Sequence, residues 1–379
     1  MTAEAVNGGG AETTQPPVLV RRAGHAGYLE LNRPKAINAL TLEMVDIISA
    51  ALEEWVTDDE VKVVVLTGAG ERGLCAGGDI VALWHDAKAG GTDAAEFWAA
   101  EYRLNDAIKH YPKPYVAVMD GIVLGGGIGL SAHGAFRIVT ERSSIGMPET
   151  GIGFLPDVGG TWLLSRAPGE TGTHLALTAG SVRAGDAIAI GMADHYMESA
   201  QIPALLDLLA TKDVEHAIGA LAEGEPPSSD LLAARSWIDE AYAGDDVAAI
   251  LDRLRARPEP EAQKAADRIA GKSPTSLAIT LRALREATSY ADLADALEVE
   301  YRLALRCHGH HDFVEGIRAQ VVDKDRDPRW SPASIAEVTT AEVDAFFAPL
   351  GADEPAELGL PGTPPPTSTT TTTPGKEQH

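Results

Sequence analysis

Only two cysteines, Cys75 and Cys307, occur in the 379 residues, far apart and with no C-x-x-C pair. That excludes a disulfide framework and a thiolate zinc site, and makes a reducing cytoplasmic compartment the simplest expectation. Cations are scarce as well: 31 Lys+Arg stand against 56 Asp+Glu, a net charge of -25. A nucleic-acid partner is not expected, because a phosphate footprint needs clustered cations. No apolar run reaches the roughly 18 residues of a membrane span, and Met1 to Gln15 lacks the basic start and apolar stretch of a leader, so neither membrane insertion nor secretion is expected. A solenoid is excluded by the lack of any internal repeat of roughly 20–50 residues. What is there is ordinary for a folded chain: 45% hydrophobic and 23% charged residues, with length for about two domains.

The pattern changes near residue 200. Before it, short β-rich runs (Val18 to Val20, Tyr28 to Leu31, Val61 to Leu66, Tyr115 to Met119, Phe136 to Val139) alternate with helical stretches, which predicts an α/β layer structure over 17–200. From Ile202 onward apolar residues recur at three- and four-residue spacing, as in Leu277 to Ala287 and Leu293 to Leu305, predicting a helical domain over 201–350. Residues 1–16 and the Pro- and Thr-rich 351–379 offer little apolar surface against the entropy of ordering, and both are expected to be disordered.

Two glycine clusters carry the chemistry. Gly125-Gly126-Gly127 follows the strand ending near Met119, and Cys75-Ala76-Gly77-Gly78-Asp79 follows the strand Val61 to Leu66; each leads into a predicted helix. Glycines there let the backbone approach a ligand and leave helix-start N–H groups free for negative charge. Two such N–H donors on one oxygen form an oxyanion hole, the requirement of carbonyl chemistry passing through an enolate or a tetrahedral intermediate. A dinucleotide fingerprint is missing, because Gly125-Gly126-Gly127-Ile128-Gly129 has the wrong offsets, and no G-K-[ST] completes a P-loop.

With Leu31-Asn32-Arg33-Pro34-Lys35-Ala36-Ile37-Asn38-Ala39-Leu40, Met147-Pro148-Glu149-Thr150 and Asp157-Val158-Gly159-Gly160 added in order, the chain resembles the crotonase, or enoyl-CoA hydratase/isomerase, superfamily. The resemblance implies a crotonase-like spiral of ββα units followed by a helical C-terminal domain, binding an acyl-coenzyme A thioester whose oxygen is held by the N–H groups of Gly78 and Gly126. It implies no separate cofactor, since coenzyme A is part of the substrate, and it is compatible with a homo-oligomer. Hydratases of that superfamily usually carry glutamates two and twenty-two residues after the glycine triplet; here those positions hold Gly129 and Glu149. Syn hydration by an acid/base pair is therefore disfavoured. Glu149 with Asp157, and the later segments His311 to Ala319 and Asp323 to Trp330, resemble the 3-hydroxyisobutyryl-CoA hydrolase subfamily, over about residues 17–345. That implies thioester hydrolysis to 3-hydroxyisobutyrate and coenzyme A in valine breakdown.

On this reading Glu149 attacks the thioester, as general base or as nucleophile, with apolar neighbours that raise its pKa. Asp157 reads the substrate hydroxyl; it also precedes a predicted helix through Trp162 and Leu164, where Asp commonly serves as an N-cap. The segment Phe97 to Asn105, including Glu101 and Tyr102, resembles a substrate-contacting segment of the family, which makes Glu101 a substrate-contact candidate, and Lys35 is a cation for coenzyme A phosphates. Asp79 reads as a helix cap. His133 and the His308, His310, His311 cluster fit no zinc spacing and read as structural or exposed. Two alternatives stand: an isomerase using Glu149 alone, and an acyl-CoA-binding protein without turnover.

Overall fold

The computed structural model describes residues 15–221 and 226–361. Among the described residues nine strands form two sheets. In the larger, the order is β1 (Val18–Ala23), β2 (Ala26–Leu31), β3 (Val63–Gly68), β4 (Tyr115–Met119), β6 (Phe136–Val139), β9 (His195–Tyr196), antiparallel at β1–β2 and parallel elsewhere. The smaller joins β5 (Ile122–Leu124), β7 (Ser144–Gly146) and β8 (Ser181–Val182). Parallel strands covered on both faces read as continuous apolar runs, and the period of two sorts Val63 to Leu66 between those faces. Val64 and Leu66 enter the main core with Trp55 and Leu31; Val63 and Val65 enter a second core with Tyr28, Leu205, Leu209 and Ile218.

That second core locates the first helices of the later region. Ile202–Leu209 and Val214–Gly219 close the outer face of the larger sheet, so the helices just past the boundary expected at 200/201 pack with the α/β layer. Helices from Asp230–Ala233 through His311–Ile317 instead extend the main core, in which Leu277, Leu297 and Phe313 join Leu29 and Val64. The mixed α/β architecture with a helical C-terminal region is thus held by one continuous apolar interior on the site side of the sheet.

The expected disorder of 351–379 holds no longer for its first part. Leu358 and Leu360 are buried, and their N–H groups donate to Glu298 Oε2 (3.1 Å) and Oε1 (2.9 Å). Arg302 pairs with Glu357 at 2.8 Å, and Arg103 donates to the Leu358 carbonyl. Two leucines and specific backbone partners outweigh the polar composition that argued for disorder. Residues 1–14 and 362–379, the rest of both predicted tails, lie outside the described residues.

Candidate active site

The oxyanion-hole candidates are brought together by loop hydrogen bonds outside the sheets. Cys75 donates its N–H to the Ile122 carbonyl (3.2 Å) and Leu124 donates to Cys75 (2.9 Å), so the first glycine loop runs beside β5. Leu40 N–H on Gly77 (2.8 Å) and Asp79 N–H on Leu40 (2.9 Å) fix its other side. Asn38, buried at φ 54°, braces the whole turn by donating to the carbonyls of Ala69, Gly73 and Leu74. As a result the Gly78 nitrogen lies 3.5 Å from where a Cβ on Gly126 would stand. Gly126 opens the short helix Gly126–Ser131, where the first N–H groups have no intrahelical acceptor. Side chains are forbidden here: that Cβ would meet Glu101 Oε1 at 2.5 Å, and one on Gly125, at φ 47°, would meet Glu149 Oε1 at 2.9 Å.

A cavity of about 220 Å³ joins these peptide groups to Glu101, Glu149 and Asp157, with Phe97, Trp98 and Phe154 among its apolar walls. Glu149 begins a 3-10 turn, Glu149–Ile152, directly after β7. It is 6% exposed, and its Oε2 has no hydrogen-bond partner among the described residues. Asp157 sits on the following loop and accepts from the Tyr102 hydroxyl at 2.7 Å. Its expected capping role is not seen: the next helix, Gly160–Ser165, starts after Gly159 with no side-chain cap. Glu101, from the helix Asp93–Lys109, is 2% exposed with Oε1 unpartnered among the described residues.

Three buried carboxyl groups in one small cavity cannot all hold full charge. Burial, then the neighbouring Asp157, pushes Glu101 and Glu149 well above the ordinary carboxylate range. Burial also raises Asp157, to about 7, against the opposing hydrogen bond from Tyr102. Behind the loop lies Glu300, on the helix Leu293–His308, accepting from Gly159 N–H (2.6 Å), Thr161 N–H (2.9 Å) and the Thr161 hydroxyl. Its own pKa is raised by burial to about 8.

Gly129 lies at the other position where a hydratase glutamate is expected, and it has no room for one. A Cβ there would stand 2.7 Å from Asn105 Nδ2 and 2.8 Å from Val158 Cβ. The helical region supplies the remaining wall. Phe313 and Val321 line the cavity, and Phe313 packs 5.5 Å from Phe154, which stacks on Trp98 at 5.3 Å. Gly316 lets the helix His311–Ile317 touch the Glu149 turn, since a Cβ there would meet the Ile152 carbonyl carbon at 2.4 Å. Buried Asp312 anchors that helix, accepting from Ser273 Oγ (2.6 Å) and Ser331 N–H (2.7 Å).

Lys35 is not brought to this cavity; it is exposed on the turn Pro34–Ala36. Asp79 caps the helix Ile80–Ala89 and pairs with Arg33 at 3.0 Å. The histidines do not converge: His308 faces Asp86 at 3.0 Å, His310 caps its helix, and His311 is half-exposed beside Asp312. His133 is buried against the Val158 carbonyl at 2.8 Å, its pKa lowered to about 4 by burial. Among the described residues no helix is long and apolar enough to cross a membrane. Glu300 and Phe313 went unread in the sequence as parts of the site, whereas Tyr102 stands in the segment Phe97 to Asn105 read there as substrate-contacting. Phe313 lies within the segment His311 to Ala319 that carried the resemblance, whereas Glu300 sits in a helical pattern with no motif around it.

The family model "Enoyl-CoA hydratase/isomerase" matches residues 26–347. The 3-hydroxyisobutyryl-CoA hydrolase, mitochondrial, of Gallus gallus is 40% identical over 347 residues, covering 89% of this chain and 90% of that protein. The protein of the same name from Rattus norvegicus is 41% identical over 350 residues, covering 90% and 91%. A crystal structure titled as a carnitinyl-CoA dehydratase from Mycobacterium thermoresistibile superposes with TM-score 0.88 at 52% identity, covering 92% of this chain and all of that one. The curated relatives are named as mitochondrial and so lend no support to the cytoplasmic placement expected above. A family model spanning most of the chain, and relatives similar along nearly their whole length, place it: the chain belongs to the enoyl-CoA hydratase/isomerase family.

Proposed function

We propose that the protein hydrolyses 3-hydroxyisobutyryl-CoA to 3-hydroxyisobutyrate and coenzyme A, the activity in the names of its curated relatives. One observation carries this most: Glu149 and Asp157 share a small cavity with the Gly78 and Gly126 peptide groups, while Gly129 is walled off by Asn105 and Val158. The thioester oxygen binds between the two N–H groups, which strengthen their hold as it becomes an oxyanion. Glu149 drives attack on the carbonyl carbon, either by taking a proton from water or by adding directly to give an acyl anhydride that water then opens. Each route passes through its own tetrahedral oxyanion in the same hole and collapses to expel the coenzyme A thiolate; in the first the proton taken from water is returned to the thiolate, and in the second the thiolate takes a proton released when water opens the anhydride. Tyr102 occupies Oδ2 of Asp157, and the other carboxylate oxygen accepts the substrate hydroxyl. Glu101, against Gly126, closes the acyl pocket. An adjoining cavity of about 420 Å³ shares Leu83 and Phe97 with it.

A second reading, loss of water from a hydroxyacyl thioester, is favoured by the dehydratase title of the Mycobacterium structure. Products separate the two. Given 3-hydroxyisobutyryl-CoA, the protein releases free thiol, read with a thiol-reactive dye, and builds no conjugated-thioester absorbance. Conjugated thioester without thiol release would establish dehydration instead, and neither signal despite binding would leave an acyl-CoA-binding protein.

A further inference from the structure

At the C-terminal ends of four helices, with His133 in its lining, lies a second cavity of about 490 Å³ that shares no lining residue with the acyl site. Lys109, Lys113, Arg137 and Arg166 line it, and no carboxylate does. In a chain of net charge -25 such a grouping is a local reversal of sign.

Two of these four cations are held in place by neutral acceptors, so their charge is kept. Lys113 donates to the carbonyls of Trp55 and Asp58, and Arg166 to those of Trp162, Ala287 and Tyr290 while stacking over the Trp162 ring. Arg137 alone is matched by a carboxylate, Asp194, at 2.5 Å. Lys109 makes no ion pair among the described residues. The helix ends supply partial negative charge that accounts for some of these cations, Lys109 in the last turn of the 17-residue helix Asp93–Lys109 included. A further polar group points to a ligand: Tyr115 is 1% exposed and lines the cavity, yet its hydroxyl has no hydrogen-bond partner among the described residues. An orphaned buried hydroxyl costs free energy that a bound acceptor recovers.

We infer that this cavity is a binding site for a phosphate-bearing small anion, held by Lys109, Arg166 and the Tyr115 hydroxyl and separate from the acyl-CoA site. The volume exceeds that of a single phosphate, and Trp162 offers a flat apolar wall, which suits a phosphate carried on an organic group.

The test titrates inorganic phosphate, pyrophosphate and ATP into the full chain at constant ionic strength, by calorimetry and thermal denaturation, with chloride as the control. Two variants locate any binding: Lys109→Glu, at an exposed position, and Tyr115→Phe, which removes only the orphaned hydroxyl. The expected result is saturable binding of at least one of these anions, weakened about tenfold or more by Lys109→Glu and severalfold by Tyr115→Phe. The melting temperature of Lys109→Glu in chloride alone should stay that of the parent, so that lost binding is not lost folding. Tightest binding of ATP would identify a nucleotide-like ligand; equal binding of pyrophosphate would identify the phosphate alone. No saturable binding, or binding that survives both variants unchanged, would overturn the assignment.

Discussion

Asp157 separates two roles that sequence alone left together, the helix cap and the hydroxyl reader. Its partner is Tyr102, on a different helix, rather than the N–H groups that follow it in the chain. If it reads the substrate hydroxyl, Asp157→Asn lowers the preference for 3-hydroxyisobutyryl-CoA over isobutyryl-CoA by roughly 10–100-fold in kcat/KM, since a charge-assisted hydrogen bond becomes an ordinary one. Equal discrimination by the variant would remove Asp157 from that role. Gly129 gives a stability prediction at the same scale. Its missing side chain is imposed by Asn105 and Val158, so Gly129→Ala should cost about 1–3 kcal/mol in urea unfolding, and a glutamate there should not restore a hydratase. A variant as stable as the parent would show that the contact yields cheaply. Glycines, Glu149 and Asp157 were legible because they fall in the motifs that carry the family resemblance. Glu300 was not, since three-dimensional proximity to Gly159 and Thr161 leaves no trace in its helical surroundings.

Elements were readable in proportion to their length. The strands of four to six residues in the larger sheet all have counterparts among the sequence-predicted runs, whereas β5, β7, β8 and β9, of two or three residues each, are too short to show a period. Those short strands matter most to chemistry, for β5 leads into the Gly126 helix and β7 into the Glu149 turn. The C-terminal segment teaches the reverse lesson. Its Pro- and Gly-rich composition hides Leu358 and Leu360, which Glu298 ties down through their N–H groups. Glu298→Ala should therefore speed amide hydrogen exchange at Leu358 and Leu360 by about tenfold or more while leaving the sheet protected. Unchanged exchange would mean that the leucine contacts alone hold the segment.

At the scale of the whole molecule, the two regions divide the labour of one site. The α/β layer supplies the peptide donors and the carboxyl groups, and the helical region supplies Phe313, Val321 and the brace at Glu300. Such a buried acidic cluster links the site to pH. Asp157 and Glu300, pushed up to about 7 and about 8, hold protons that the unfolded chain would have released. Folded-state values above the unfolded ones of about 4 give stability that is fully present below that value and lost as pH rises through the folded pKa. The urea midpoint should thus fall between about pH 5 and pH 8, and Glu300→Gln should flatten the fall. A wild-type midpoint that rises over that window, or a slope unaltered by Glu300→Gln, would mean that the cluster is charged in the fold.

Thiol release from 3-hydroxyisobutyryl-CoA by Glu149→Gln, beside the parent and with binding of the thioester measured separately, tests the central claim most directly. The substitution keeps the shape but replaces the basic carboxylate with a neutral amide. Thioester binding should persist while kcat falls by about 10²–10⁴-fold. Release at the parental rate would contradict the assignment of Glu149 and, with it, the account of how this cavity opens a thioester.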